Sequence, residues 1–150
     1  MNILHLLSIA VISLAYPNDN TQHFNNLNKF PKSKKIMAKL TAYHNHEDRF
    51  GAKVAMSSSM RAKQGYTVAA HHDFAFGKKL FIPALKGVLN KDGIFEVEDR
   101  GRDIESKKAS KGKCYVFDIF MYGKNAKDGN RKIKELTKNI PQIQEVYILN

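Results

Sequence analysis

Short apolar segments separated by turn-rich stretches fill the chain from residue 36 onward and predict β-strands. The clearest is Tyr115–Met121, an apolar run interrupted by one acidic residue. Six strands are enough to close a small barrel, which removes the exposed edges of an open sheet. The predicted strands are Ile36–Tyr43, Tyr66–Ala70, Lys79–Pro83, Gly93–Glu98, Tyr115–Met121 and Glu145–Leu149.

One segment near the C-terminus has the period of a helix instead. Ile133, Leu136 and Ile140 recur at three- and four-residue spacing, Asp128 is the predicted N-cap, and Pro141 ends the segment. Because strands outnumber this helix, the predicted fold class is all-β, a six-stranded barrel with one short helix.

The N-terminal segment Met1–Ala15 contains no Lys, Arg, Asp or Glu. Its apolar run, Ile3–Ile12, is shorter than the roughly 20 residues that span a membrane. Ser13–Ala15 fits the small-x-small pattern of a secretory cleavage site. We therefore predict a signal peptide cleaved after Ala15, a secreted or periplasmic protein and no stable membrane insertion. A buried first helix is the alternative.

One folded domain is expected after this segment. Residues 16–35 are rich in Asn and Lys, show no apolar periodicity, and are predicted to be a flexible linker before a domain at 36–150. The chain has 150 residues and 43% hydrophobic content, enough for one core. Its only cysteine, Cys114, cannot form an intrachain disulfide, and a monomer is expected.

The charge of the chain favours anionic partners. Twenty-five Lys and Arg residues against fourteen Asp and Glu residues give a formal net charge of +11. Nucleic acid, an anionic membrane surface and an acidic wall polymer all fit that charge. The predicted strands do not alternate aromatic with basic residues, as single-strand nucleic-acid binders do, so nucleic acid is not the expected partner.

The run Tyr115–Met121 places Asp118 between Phe117 and Ile119. A carboxylate among apolar groups is costly to desolvate and is usually paired, hydrogen-bonded or used for chemistry. Desolvation or a neighbouring carboxylate would raise its pKa, and a carboxylic acid still protonated near neutral pH can serve as a general acid. Asp118 is also explained as an outward-facing strand residue, since Phe117 and Ile119 share the other face.

Asp99 ends the strand before that run and precedes Arg100 and Gly101. A glycine two residues after an aspartate is typical of a sharp turn, which leaves the carboxylate at a strand end, where sites commonly form. An Asx-type turn explains the same pattern.

The histidines form two clusters, His44–Asp48 and His71–Asp73. Imidazole and carboxylate groups at this density could hold Zn²⁺. Neither cluster has the spacing of a known helical motif such as His-Glu-x-x-His, and both fall in predicted loops. Solvated or substrate-facing histidines are therefore expected, with no metal and no cofactor.

Six segments occur in an order that is similar to a known domain family, and they cover Leu40 to Leu149. They are Leu40–Tyr43 with Glu47, Gly65–Ala70, Phe76–Pro83, Val97–Ile104, Val116–Phe120 and Val146–Leu149. The chain thereby resembles the Asp-Asp-Asp (3D) domain of membrane-bound lytic transglycosylase A and of small secreted muralytic proteins.

The resemblance implies a six-stranded double-psi β-barrel that binds peptidoglycan glycan strands. It also implies cleavage of the bond between N-acetylmuramic acid and N-acetylglucosamine without water, leaving a 1,6-anhydro end. In that family, one aspartate in an apolar-Asp-apolar-aromatic strand is the acid and base, and here it is Asp118. Asp99 would lie beside it, raise its pKa and help hold the sugar. The remaining substrate-binding residues implied are Tyr43, Glu47, His71, Asp73, Arg100 and Gly101.

One departure from the family bears on activity. The family's first aspartate normally follows the Thr-Val-Ala-x segment, but here that place reads Ala70–Gly77. Either His71 replaces that aspartate or Asp73 supplies it after a shift in register. The alternative to an enzyme is therefore a non-catalytic peptidoglycan-binding barrel that has lost the first aspartate.

Overall fold

The computed structural model describes residues 33–47 and 53–150. Several sequence predictions lie outside the described residues. They are the signal peptide, its cleavage site, residues 16–32 of the linker, and Asp48 of the first histidine cluster. The last two residues assigned to that linker, Lys34 and Lys35, belong to the first strand.

None of the helices in those two ranges is both long and apolar enough to cross a membrane.

The strands of the described residues are β1 (Lys34–His44), β2 (Lys53–Val54), β3 (Ser57–Arg61), β4 (Thr67–Ala69), β5 (Lys79–Phe81), β6 (Ile94–Asp99), β7 (Tyr115–Met121) and β8 (Ile143–Ile148). Six of them close into a barrel in the order β1-β7-β4-β6-β5-β8. Two neighbouring pairs, β1 with β7 and β4 with β6, are parallel, and the other four are antiparallel. A separate two-stranded hairpin joins β2 to β3.

The predicted all-β class is confirmed: residues 33–47 and 53–150 contain a six-stranded barrel and one helix of more than a single turn. The barrel interior is filled by alternate apolar side chains from the strands and by residues of the connections. This core comprises Ala38, Leu40, Val68, Ala70, Phe74, Leu80, Ile82, Leu85, Phe95, Val97, Phe117, Ile119 and Val146.

The β2–β3 hairpin is an element that the sequence pattern did not predict. Its second strand begins with a run of serines, which gives no apolar alternation. The turn of the hairpin packs on the end of β6, where the Met56 amide donates to the Glu98 carbonyl at 2.9 Å. The hairpin therefore extends the wall of the barrel beside Asp99.

Two α-helices follow β6, and a 3-10 helix, Lys108–Ser110, lies between them. The first, α1 (Arg102–Glu105), is a single turn, and the second, α2 (Ala126–Asn139), is the helix that the sequence predicts. Its predicted N-cap, Asp128, is wrong: Asn125 is the N-cap, and its side chain accepts a hydrogen bond from the Asp128 amide at 2.9 Å. Asp128 instead accepts from the Lys124 amide at 3.1 Å, so the two side chains satisfy amides on both sides of the helix start.

Gly129 lies in the first turns of α2 because the ring of His44 occupies the space of a side chain. A Cβ atom at position 129 would lie 2.5 Å from His44 Cγ, and His44 is only 1% exposed. A glycine in the middle of a helix ordinarily lowers the stability of the fold by about 0.5–1 kcal/mol relative to alanine. Replacing such a glycine with alanine therefore usually stabilises the protein. Here the same exchange overpacks a buried ring.

We expect Gly129→Ala to lower the free energy of unfolding by about 1–3 kcal/mol, the usual cost of overpacking. Urea unfolding monitored by circular dichroism measures this change. Lys134→Ala, at an exposed position of the same helix, is the matched control and should leave stability nearly unchanged. An unchanged or raised stability of Gly129→Ala would contradict the packing described for His44.

Candidate active site

Asp118 lies on β7 on the face opposite Phe117 and Ile119, both of which pack in the barrel core. Its cross-strand partner on β1 is Thr41, whose hydroxyl donates to Asp118 Oδ1 at 2.7 Å. The sequence left two descriptions of Asp118 open, and the structure combines them. The residue faces away from the core and is nevertheless half-buried.

Burial raises the pKa of Asp118 to about 6. The Thr41 hydrogen bond acts in the opposite direction, whereas the negative charges of Glu47 and Asp99 raise the pKa further. Desolvation disfavours the charged form of a carboxyl group, and nearby negative charge does the same. Asp118 is therefore about half protonated at pH 6 and about one-tenth protonated at pH 7.

A β-bulge brings Asp99 to the same place. The register between β4 and β6 shifts between Val68 and Ala69, so that Ala69 is opposite Asp99 rather than Glu98. On its other side, Ala69 is opposite Asp118 of β7. The two aspartates therefore lie on either side of Ala69 in the short strand β4. Bulges commonly change the direction of side chains in this way beside active sites.

Three donors hold the Asp99 carboxylate in place. The Tyr43 hydroxyl donates to Oδ2 at 2.8 Å, and the backbone amides of Ala55 and Arg100 each donate to Oδ1 at 2.9 Å. Tyr43 is itself positioned by an edge-to-face contact with Phe120, with ring centroids 5.4 Å apart. Asp99 is thus an acceptor fixed by its neighbours, in contrast to the desolvated Asp118.

Glu47 supplies a third carboxylate near the two aspartates. It lies in the turn after β1, is exposed, and is close enough for its charge to raise the pKa of Asp118. Nε2 of the buried His44 lies 3.3 Å from Glu47 Oε1. His44 Nδ1 accepts from the His46 amide at 3.1 Å, so the proton of a neutral His44 ring is on Nε2, a buried atom with no hydrogen-bond partner among the described residues.

Arg100 and Gly101 shape the end of β6. The Arg100 guanidinium donates to the carbonyls of Asp99 at 3.0 Å and Phe74 at 2.7 Å, and it stacks 4.0 Å from the centroid of Phe76. Gly101 has extended backbone rather than the expected sharp turn, and it is the N-cap of α1. Both residues therefore join the turn after β4 to α1, and their substrate-binding role stays a prediction.

His71 and Asp73 lie in a second polar cluster, in the turn that follows β4. Asp73 Oδ2 accepts from the Tyr115 hydroxyl at 2.5 Å and lies 3.2 Å from His71 Nδ1. The hydrogen bond from the Tyr115 hydroxyl is the main reason that the pKa of Asp73 is below its ordinary value. Within the described part of the chain, no hydrogen bond joins either residue to Asp99 or Asp118.

The structure therefore brings together four of the predicted site residues, which are Asp118, Asp99, Tyr43 and Glu47. Sequence reasoning missed Thr41 and the Ala55 amide. Thr41 is in the Leu-Thr-Ala-Tyr segment that carried the resemblance, two residues before Tyr43, and strand alternation places both on one face. No sequence signal could have revealed the Ala55 amide, because a backbone donor does not depend on residue type.

Together the fold and the site define a class: a closed all-β barrel with a fixed carboxylate and a desolvated carboxyl group on strands that flank β4. Comparison with protein-family models, with curated proteins and with solved structures finds no match for this chain.

Proposed function

We propose that this protein is a secreted or periplasmic lytic transglycosylase that cleaves the bond between N-acetylmuramic acid and N-acetylglucosamine in peptidoglycan. The single observation that carries the proposal is the desolvated Asp118 carboxyl group, with a pKa of about 6, on a strand beside the one that fixes Asp99. The ordered resemblance to the 3D domain family supplies the substrate and the reaction.

In the proposed reaction, Asp118 first donates its proton to the glycosidic oxygen as the bond to C1 of the muramic acid breaks. The resulting carboxylate then accepts the proton of the C6 hydroxyl on the same sugar while that oxygen bonds to C1. The products are a free hydroxyl on the leaving sugar and a 1,6-anhydro ring. Asp118 returns to its protonated form, and no water is consumed.

One acid/base residue is sufficient for this reaction. An ordinary glycosidase needs a second carboxylate to activate water or to attack C1. Here the nucleophile is a hydroxyl of the substrate itself, and intramolecular groups held in position can reach effective concentrations of about 10⁵–10⁸ M. Asp99 then has a different role: its fixed negative charge favours the protonated form of Asp118 and can stabilise positive charge developing on the sugar ring.

The charge of the chain fits the proposed partner. A net charge of +11 favours association with an anionic wall polymer and raises the encounter rate at low ionic strength. The exposed lysines Lys108, Lys111 and Lys113 lie on the segment between α1 and β7.

Product analysis tests the proposed activity. The purified protein is incubated with insoluble peptidoglycan, and the soluble products are separated and identified by mass spectrometry. We expect muropeptides that end in 1,6-anhydro-N-acetylmuramic acid. Absence of any soluble glycan product would contradict the enzymatic proposal.

A non-catalytic peptidoglycan-binding barrel is the second candidate. It is favoured by one observation, namely that the hydrogen bonds of His71 and Asp73 run to each other and to Tyr115 rather than to Asp99 or Asp118. Co-sedimentation with insoluble peptidoglycan separates the two candidates. Retention on the polymer without release of soluble products would favour the binding barrel.

Tyr43→Phe tests the fixed position of Asp99. The change removes the hydroxyl that donates to Asp99 Oδ2 and keeps the ring that packs on Phe120. A hydrogen bond to a charged group contributes about 1.5–3 kcal/mol, so we expect kcat/KM on soluble glycan strands to fall about tenfold or more. Tyr122→Phe, at an exposed tyrosine, is the matched control. Equal kcat/KM for Tyr43→Phe and wild type would count against a role for Asp99.

A further inference from the structure

The second polar cluster contains three metal-ligand side chains in a row. The ligand atoms of His71, His72 and Asp73 lie within 4.8 Å of one another. His71 is buried, whereas His72 and Asp73 are exposed, so the cluster is anchored on one side and open to solvent on the other. We propose that this cluster binds a zinc ion or a chemically similar divalent transition-metal ion.

The separations between the ligand atoms fit a tetrahedral centre. Zn²⁺ binds histidine nitrogen and carboxylate oxygen at about 2.0–2.2 Å, which places tetrahedral ligand atoms about 3.3–3.6 Å apart. His71 Nδ1 lies 3.2 Å from Asp73 Oδ2, and His72 Nε2 lies 3.5 Å from Asp73 Oδ1. These distances run to the two different oxygens of Asp73. One ligand atom from each of the three residues lies within 4.8 Å of the others, so the side chains must move closer together to share one ion.

In a neutral His72 ring, Glu105 selects the tautomer that a metal needs. His72 Nδ1 lies 2.6 Å from Glu105 Oε2, so the nitrogen donates its proton to the carboxylate and the neutral ring keeps a free electron pair on Nε2. Ligating histidines almost always donate their other ring N–H to a carboxylate, carbonyl or water. His72 and Glu105 reproduce this pairing, with Nε2 on the side of Asp73.

His71 also presents an electron pair to Asp73. Its Nδ1 accepts from the Asp73 amide at 3.2 Å, so this nitrogen is unprotonated in the neutral ring. The carboxylate oxygen facing it is an acceptor as well, and it is oriented by the Tyr115 hydroxyl. An ion bound at Nδ1 would take the place of the Asp73 amide at that electron pair, beside the carboxylate oxygen 3.2 Å away.

The charge around the cluster permits a divalent ion. Asp73 and Glu105 supply two negative charges. Two cations are close: Arg100 Nε is 3.6 Å from Glu105 Oε1, and Lys107 Nζ is 4.1 Å from the centroid of the Tyr115 ring. These cations oppose an ion on the solvent side, so its affinity depends on the two carboxylates and on the imidazole ligands.

Three protein ligands leave a fourth position for water or for a group of a bound molecule. An ion held here would also link the turn after β4 to α1 through His72 and Glu105. Binding of an ion to this cluster does not depend on the proposed glycan cleavage.

Isothermal titration of the full chain, without a polyhistidine tag, with ZnCl₂ tests the site. We expect one Zn²⁺ per chain, and cobalt chloride should give the intense visible absorption of tetrahedral Co²⁺. His72→Ala, at an exposed position, should lower the Zn²⁺ association constant at least tenfold. Glu105→Gln removes the proton acceptor of His72 and should lower it about 10- to 100-fold.

His46→Gln is the matched control, because His46 is an exposed histidine outside the cluster. It should leave the Zn²⁺ association constant unchanged. The proposal is overturned if wild type shows no stoichiometric Zn²⁺ binding, if His72→Ala binds as tightly as wild type, or if His46→Gln loses as much affinity as His72→Ala. Circular dichroism of each variant confirms that an altered affinity is not due to unfolding.

Discussion

Replacing Asp118 with asparagine is expected to lower the rate of glycosidic bond cleavage by about 10²- to 10⁴-fold, the usual contribution of general acid–base catalysis. Asparagine has nearly the same shape and can still accept the Thr41 hydrogen bond on its side-chain oxygen. It can neither donate a proton to the leaving oxygen nor accept one from the C6 hydroxyl. The release of soluble anhydro-muropeptides over time, quantified by mass spectrometry, measures the rate.

Asp103→Asn is the matched control for this change. Asp103 is on α1 with a side chain that is 62% exposed, and it has no part in the proposed chemistry. Its rate should equal that of wild type. Equal rates for Asp118→Asn and wild type would remove Asp118 from the catalytic role, whereas a loss shared by both variants would indicate a general effect of the substitution.

The same Asp118→Asn substitution is expected to stabilise the fold at neutral pH. A carboxyl group with a pKa of about 6 in the folded state and 3.8 as its ordinary value binds its proton more tightly when folded. Stability therefore falls as the pH rises from about 4 to about 6 and stays at the lower value above that. Each pKa unit corresponds to about 1.4 kcal/mol, so the neutral variant should gain about 2–3 kcal/mol near pH 7.5.

Urea unfolding at a series of pH values measures this gain. The difference between Asp118→Asn and wild type should be small near pH 4, grow up to about pH 6 and then remain constant. Asp103→Asn should show no such growth with pH. A variant less stable than wild type at neutral pH, or a difference independent of pH, would mean that Asp118 is not held in a desolvated site.

The sequence pattern predicted the barrel because its strands obey simple alternation. In Tyr115–Met121, the residues Phe117 and Ile119 share the core face, and the observed strand has the predicted boundaries. The Ser57–Arg61 strand obeys no such rule, because its stability depends on pairing with Lys53–Val54 rather than on an apolar face. Strands of this kind form because of their neighbours in the fold, and local sequence patterns do not predict them.

The position of Asp99 could not be predicted for a related reason. By alternation it shares the face of Val97, which is in the barrel core. The register shift between Val68 and Ala69 changes this and places Asp99 opposite Ala69. A bulge depends on how two strands distant in sequence pair, so no local pattern contains it.

The sequence predicted one cause of the raised pKa of Asp118 but not the others. Its apolar neighbours indicated costly desolvation, and that effect is the largest cause of its raised pKa. The contribution of Glu47 depends on the path of the chain after β1, which alternation does not describe. The expectation that His71 or Asp73 replaces the family's first aspartate followed sequence position and stays a prediction. The structure shows that Asp73 accepts from the Tyr115 hydroxyl and that its amide donates to His71.

The most direct test of the central claim is the fate of water in the cleavage. Peptidoglycan is digested by the wild-type protein in water enriched in heavy oxygen, and the new glycan ends are analysed by mass spectrometry. If Asp118 acts as acid and base with the C6 hydroxyl as nucleophile, the new ends contain no heavy oxygen and are lighter by one water than a hydrolysis product. New reducing ends that carry heavy oxygen would show hydrolysis instead, and they would contradict the mechanism proposed for this barrel.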